Sequence, residues 1–333
     1  EGEYLNGERN GRGKEYFNSN ILFEGEYLKG KRNGKGKEYY HNGKLKYEGE
    51  YILNKKWNGK EYDKKGNIIY EINNGKGYIK EYDEYSNKLL FEGEYINGVR
   101  NGKGKEYYLN GNVLFEGEYS NDKRLNGNGF DNNNNIIYEL KEGKGYIKEY
   151  FENDVLIFEG EYLKGQRNGK GKDYDLNGYL LFEGYYLNGE KNGKGKEYYN
   201  DEKIFFEGEY KNGKRNGKGK EYYLNGELSF EGEYLYNAKR KGKKYIKGLL
   251  EYEGEYILDT KYNGKGYDEY GNIIYEINNG NGYIKEFDEY NCNLIFEGEY
   301  MDGKRNGKGK EYDEIGNIIY EGEYYNNERM EDG

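Results

Sequence analysis

From Ile21 to Leu28 the chain alternates in character. Ile21, Phe23, Gly25 and Tyr27 fall on one side of an extended backbone, and Leu22, Glu24, Glu26 and Leu28 fall on the other. A period of two predicts a strand. Residues 29–34 then supply turn formers, with Asn33-Gly34 the strongest local signal. A second strand is expected over residues 35–40, and His41-Asn42-Gly43 turns the chain into the next alternating run. The register read from this pattern sets Phe23 against Tyr40, Tyr27 against Gly36 and Glu26 against Lys37. It leaves a glycine opposite the Tyr27 ring and makes Glu26 and Lys37 a cross-strand ion pair.

The same pattern returns along the whole chain. Glu-Gly-Glu-Tyr or a variant begins at 1, 24, 48, 71, 92, 116, 139, 159, 183, 207, 231, 253, 276, 297 and 321. The spacing is 24 in the best-kept units and 20–23 elsewhere, with no linker between them. Residues 1–333 therefore read as one continuous array of about 14–15 hairpin repeats. The fold class expected is all-β: an elongated single-layer array of consecutive antiparallel hairpins. At ~4.8 Å per strand, about 29 strands would extend roughly 140 Å. One hairpin cannot bury enough surface to fold alone, so neighbours must share backbone bonds and rings. Proline, which removes a ladder donor, does not occur in the chain.

Composition agrees with a thin structure. Hydrophobic residues make up 34%, with Tyr supplying 45 of them, too few aliphatics for a thick core. An aromatic share of 18% is far above that of a disordered chain. The net charge of −10 disfavours nucleic acid as a partner, because phosphate neutralisation needs a basic surface. Apolar runs such as Val155-Leu156-Ile157-Phe158 are far short of a membrane span. The sequence begins at Glu1 without a Met, which leaves a removed leader or a longer chain open.

Catalytic chemistry has little to stand on. Ser19, Ser86, Ser120, Ser229 and Thr260 are the only hydroxyl nucleophiles of their type, and none sits in a nucleophile-elbow motif. His41 fills a turn slot held by Leu109, Leu176 and Leu224 in other units, and Cys292 lies in a connecting loop. Paired carboxylates such as Glu24 and Glu26 recur in almost every unit, whereas an acid–base pair needs one special environment. Gly34-Lys35-Gly36 lacks phosphate-loop spacing, and residues 131–135 lack calcium-loop spacing. No catalytic, cofactor or metal residue is expected, and the chain is read as a non-enzyme.

Tyr47-Glu48-Gly49-Glu50-Tyr51, and the run from Phe91 through Tyr95, Gly98, Gly102 and Gly104, resemble the MORN repeat. The continuation from Lys105 to Gly111 is closest to its MORN-variant form. The resemblance implies stacked antiparallel hairpins and a scaffold that positions proteins, often near membranes or cytoskeleton. It implies a cytoplasmic location of that kind, with a secreted or surface location left open. Some members have been proposed to bind phosphoinositides, and some bacterial variants carry an antitoxin label. Departures occur at 71, 139 and 276, where the glycine is replaced in Tyr-Glu-Ile or Tyr-Glu-Leu, and at Trp57, read as a turn residue. Such units read first as repeats loosened by drift, with a bend in the ribbon or a docking face as the alternatives.

Two surfaces are candidates for function. The first is a protein-docking aromatic row of Tyr27, Tyr51, Tyr95, Tyr119, Tyr162, Tyr186, Tyr210, Tyr234, Tyr256 and Tyr300, with core stacking as the alternative role. The second is a basic patch of Lys239, Arg240, Lys241, Lys243, Lys244 and Lys247, suited to anionic lipid headgroups unless it is only a solvated turn. The function expected is a non-enzymatic scaffold for protein partners, with anionic-membrane binding as the alternative. A third expectation is self-association through uncapped sheet ends into a filament.

Overall fold

A computed structural model describes residues 1–83, 85–151, 155–200 and 202–330. They contain thirty strands and no helix, joined as consecutive antiparallel hairpins. The all-β hairpin reading holds. The chain divides into two compact units, Glu1–Gln166 and Arg167–Gly333.

In the first unit seven strands from Gly2–Leu5 to Ile68–Ile72 form one sheet in sequence order, and six from Gly77–Tyr82 to Ile136–Leu140 form a second. The strand Gly145–Phe151 pairs with Val155–Leu163. In the second unit, pairing runs in order from Gln166–Tyr174 to Ile273–Ile277, and the strands from Gly282–Phe287 to Glu328–Arg329 form a separate sheet.

The register differs from the sequence reading. Strand Asn20–Leu28 pairs with Lys31–Tyr39 so that Phe23 faces Glu38, Glu24 faces Lys37, Gly25 faces Gly36 and Tyr27 faces Arg32. The turn is Lys29-Gly30, both in the left-handed region at φ 49° and 74°, as a tight two-residue hairpin requires. Asn33-Gly34 is not the turn. It lies inside the strand, where the register shifts and Gly34 takes φ 105°, forming a bulge. The Tyr27 ring does meet a glycine, but on the preceding strand: it faces Gly11 and touches Gly13.

The real use of the glycines is a column. Gly13, Gly25, Gly36, Gly49 and Gly59 pair in succession across the first sheet. A Cβ added to Gly36 would lie 2.5 Å from Cζ of Phe23, and one on Gly25 would lie 2.7 Å from the Gly36 Cα. Each glycine pair thus lets two strands approach while one phenyl ring covers both. The fully buried Phe23, Phe91, Phe182, Phe206, Phe230 and Phe296 repeat this role. Each ring meets the repeat tyrosines edge-on, as Phe23 does Tyr27 and Tyr51 at 5.6 and 5.3 Å.

The column explains the altered units. Ile72 replaces a glycine opposite Gly59, and Ile79 takes the place opposite Gly93. Leu140 and Ile147, then Ile277 and Ile284, stand in the same positions at the other two. Two branched side chains cannot occupy a contact built for two hydrogens. The strands splay, and only one bridge joins them: Asn73 to Lys76, Lys141 to Lys144, and Asn278 to Asn281. All three altered units are sheet breaks. Ile72 and Ile79 still pack together in one buried cluster with Phe23 and Tyr51, so in the first unit the core bridges the gap that the backbone does not. Trp57 belongs to this break. It sits within strand Lys55–Tyr62, not in a turn, with its ring against Gly75.

Candidate interaction faces

Burial settles where the predicted tyrosine row lies. Tyr27, Tyr51, Tyr119, Tyr186, Tyr210, Tyr234 and Tyr256 are buried, and Tyr95, Tyr162 and Tyr300 are half-buried. These rings are core. Several donate their hydroxyl to a carboxylate: Tyr27 to Glu15 and Tyr119 to Glu106 at 2.9 Å, Tyr210 to Glu197 at 2.8 Å, and Tyr300 to Glu286. The row cannot present ring faces to a partner, because Phe and Tyr edges already interlock there.

Those carboxylates belong to a charge ladder that the sequence reading missed. Glu15 pairs with Arg9 at 2.9 Å and Arg32 at 2.6 Å, and Glu38 pairs with Arg32 at 3.6 Å and Lys56 at 3.1 Å. In the second unit Arg215 joins Glu197 to Glu221, with Nη1 3.0 Å from Glu221, and Lys239 follows at 2.8 Å. Each cation also caps a ring: Arg32 lies 3.9 Å from the Phe23 centroid and Arg215 4.1 Å from that of Phe206. Burial pushes the Glu38 carboxyl up, yet Lys56, Lys46 and Arg32 outweigh it and hold it below the ordinary range. Glu106 behaves alike, with Arg124 and Arg100 overcoming burial. The signal was present as an Arg or Lys and a Glu at fixed places in each repeat.

The face opposite the rings is the available one. By strand alternation Glu24 and Glu26 point away from Phe23 and Tyr27. In the first unit they border a groove of about 840 Å³ floored by Gly13, Gly25, Gly36 and Gly49. Its two rims alternate in charge, one as Lys14, Glu24, Lys37 and Glu48, the other as Arg12, Glu26, Lys35 and Glu50. The first rim is ion-paired at 3.6 Å between Lys14 and Glu24 and 3.9 Å between Lys37 and Glu48. Glu26 is not paired with Lys37; its carboxylate accepts the Lys35 backbone N–H at 3.2 Å across the bulge.

A second tyrosine row, absent from the sequence reading, flanks this face. Tyr39 donates to Glu24 at 2.6 Å, Tyr62 to Glu48 and Tyr107 to Glu92 at 2.7 Å. Tyr198, Tyr222, Tyr245 and Tyr312 do the same for Glu183, Glu207, Glu231 and Glu297 in the second unit. Burial, then the Glu24 hydrogen bond, pushes the Tyr39 phenol up to about 12. Along the hairpin tips an exposed aliphatic recurs, as at Leu28, Ile52, Leu187, Leu235 and Ile257. Many repeats therefore offer a fixed phenol, paired charges and an aliphatic in the same order, although Phe130 and Phe287 replace the phenol and Ser120 and Lys211 the aliphatic in others.

Half of the basic patch is neutralised. Lys239 is bound to Glu221, Lys243 lies 3.7 Å from Glu253, and Lys244 lies 2.9 Å from Glu289, leaving Arg240, Lys241 and Lys247 exposed. Asp131, in the asparagine-rich loop, spends its carboxylate on the N–H groups of Asn133 and Asn135 and the Asn135 amide. It is a turn, repeated at Asp63, Asp268 and Asp313. His41 contacts the Phe17 ring at 5.0 Å in its turn, and Cys292 is half-buried in a tight turn at φ 65°. Among the described residues no group of three His, Cys, Asp or Glu side chains is placed to hold a metal ion.

No curated protein matches the chain. Among solved structures it aligns with the TcdB2-TccC3-TEV crystal structure at 12% identity, over 94% of this chain and 20% of that one, with a TM-score of 0.17. It aligns with the Photorhabdus luminescens Tc holotoxin pore at 10% identity, over 91% of this chain and 16% of that one, again at 0.17. The chain spans a fifth or less of those chains, and an overlap this slight carries no inference about shape or role. The MORN repeat model matches residues 1–20, 23–44, 91–113, 158–172, 182–203, 206–227 and 296–318. Repeats of this kind are generally protein- or membrane-binding modules of a non-enzymatic scaffold type. On the glycine and aromatic frame described above, the chain thus carries MORN repeats at these seven places.

Proposed function

We propose that this chain is a non-enzymatic scaffold that docks protein partners along the face opposite its aromatic core. The observation that carries this reading is the second tyrosine row. Its phenols are held in place by Glu24, Glu48, Glu92 and their counterparts before any partner arrives. A pre-ordered tyrosine loses little freedom on binding, and Tyr supplies large contact area at low entropy cost. Repetition of the same set then lets modest contacts act together. With two acids and two bases on each rim, the groove has no net charge excess to favour a membrane over a protein.

Photo-crosslinking tests it. A benzoylphenylalanine placed at Tyr39, Tyr62 or Tyr107 should capture discrete protein partners from the native cell extract. The same probe at the loop positions Leu176 and Leu224 should not. Capture at the loop positions alone, or co-sedimentation with anionic liposomes that strips away with the exposed Arg240, Lys241 and Lys247, would replace the protein reading with the membrane one.

A further inference from the structure

In the second unit the face opposite the rings has one edge whose cations are left over. Lys194, Lys218 and Lys241 follow one another along it, on strands Glu190–Tyr198, Lys214–Tyr222 and Ala238–Ile246. Glu209 and Glu233 lie between them in register. All three lysines are exposed, and among the described residues none of their ammonium groups has a carboxylate within ion-pair distance. The next row inward is closed instead, by Lys220 with Glu231 at 3.9 Å and Lys243 with Glu253 at 3.7 Å. Carboxylates along the lysine edge are engaged elsewhere. Glu209 accepts the Lys218 N–H at 3.0 Å, and Glu255 accepts the Asn263 amide at 2.9 Å. Three uncommitted ammonium groups thus stand against Glu233.

The other edge of the strip is apolar. Tyr198, Tyr222 and Tyr245 lie on the same three strands, half-buried, with hydroxyls on Glu183 at 2.6 Å, Glu207 at 2.6 Å and Glu231 at 2.9 Å. Across the backbone they pair with Ile204, Leu228 and Leu250. Lysine and tyrosine therefore recur together once every two strands, a step of about 9.6 Å. A polyproline II helix rises ~3.1 Å per residue with three residues per turn, so its sides repeat every ~9.3 Å. Its drift of about 0.3 Å per turn is within the reach of a lysine side chain. An α-helix returns to one face after seven residues, about 10.5 Å, and drifts three times as fast. An extended strand returns after two residues, about 6.8 Å, and never keeps step.

We propose that this strip binds an acidic, proline-rich segment of a partner protein in the polyproline II conformation. A carboxylate at every third residue pairs with Lys194, Lys218 and Lys241, and the prolines between lie along the Tyr198, Tyr222 and Tyr245 edge. Such a helix is formed before it docks, so little freedom is lost. Residues 1–333 contain no proline, so a second copy of them does not supply the segment. The site lies on the docking face described above and rests on that reading of it.

Fluorescence anisotropy of labelled synthetic peptides with the full chain decides it. A peptide repeating Glu-Pro-Pro should bind saturably. Gln-Pro-Pro, which keeps the helix without the charge, and Glu-Gly-Gly, which keeps the charge without the helix, should each bind at least about tenfold more weakly. Lys194→Gln, Lys218→Gln and Lys241→Gln combined should weaken Glu-Pro-Pro by about tenfold, three exposed ion pairs together, with an unchanged circular dichroism spectrum. Absence of saturable Glu-Pro-Pro binding, equal binding of either control peptide, or undiminished binding by the triple variant would each overturn the proposal. Partner capture at Tyr39, Tyr62 or Tyr107 without Glu-Pro-Pro binding would remove this ligand and leave the docking face standing; failure of both would remove both.

Discussion

The glycine column makes a quantitative prediction at Gly219, in the best-kept part of the second unit. A Cβ there would lie 2.5 Å from Cζ and 2.6 Å from Cε2 of Phe206, and 3.1 Å from Cε2 of Tyr234. Ordinary carbon contacts begin near 3.5 Å, so the ring would have to retreat by roughly 1 Å. It has nowhere to go. Arg215 lies 4.1 Å from its centroid, and Tyr210 and Tyr234 stand edge-on at 5.7 and 5.1 Å. Nor can the strand retreat, because a Cβ on Gly208 would be 2.7 Å from the Gly219 Cα, the signature of strands already in closest approach. Overpacking of this kind costs about 1–3 kcal/mol, while alanine stiffens the unfolded chain by about 0.4–1 kcal/mol. Gly219→Ala should therefore lose about 1–2 kcal/mol. Hydrogen exchange reads this locally, and amides of Ile204–Lys211 and Lys214–Tyr222 should open about 5–30 times more often. In a Phe206→Leu background the clashing ring atoms are absent, so the same substitution should have almost no further effect. An unchanged exchange rate in Gly219→Ala, or an equal increment in both backgrounds, would refute the steric account.

Three further outcomes follow from the charge ladder and the phenols. Arg215→Ala should destabilise by about 3–5 kcal/mol in urea titration, since it strands Glu197 and Glu221 and uncovers Phe206. Glu38, Glu106, Glu197 and Glu286 are held below the ordinary glutamate value of 4.5. Their contribution is present in full above that value and is lost as pH falls through the depressed range, so stability should drop steeply below about pH 4.5, and less steeply in Glu106→Gln. Tyr39, Tyr222 and Tyr245 are pushed up to about 12, so the unfolded chain ionises first and stability should fall as pH rises from about 10. Tyrosinate absorbance should then appear together with loss of strand signal; independent, non-cooperative titration near pH 10 would contradict it.

Period-two alternation made the strands and the two faces readable, and Phe23 and Tyr27 do share the buried one. Register was not readable, for a physical reason. The segment Asn33-Gly34-Lys35-Gly36 offers two glycines two residues apart, and either could face an aromatic. Only the distance of closest approach, which forces Gly25 against Gly36, decides between them. The turn was misplaced because Asn-Gly is the stronger tight-turn pair, yet Lys29-Gly30 adopts both left-handed conformations and Asn33-Gly34 absorbs the extra residue. The second tyrosine row was not singled out because Tyr27 and Tyr39 look alike in sequence. What separates them is the partner across the sheet: Phe23 for Tyr27, Glu24 for Tyr39. The altered units at 71, 139 and 276 were visible as missing glycines, but their effect needed the knowledge that each glycine faces another. Lys244 was read as part of a basic patch, and nothing in sequence linked it to Glu289.

The aliphatic stops in the glycine column have a bearing on how such a gene can change. Tandem arrays grow and shrink by exchange of whole repeats, and each stop travels inside its own repeat. Gain or loss of a regular copy would lengthen or shorten one block while leaving the next block's starting point intact. The subdivision is thus inherited through single codons, Ile72, Leu140 and Ile277 on one side and Ile79, Ile147 and Ile284 on the other, whatever the copy number between them.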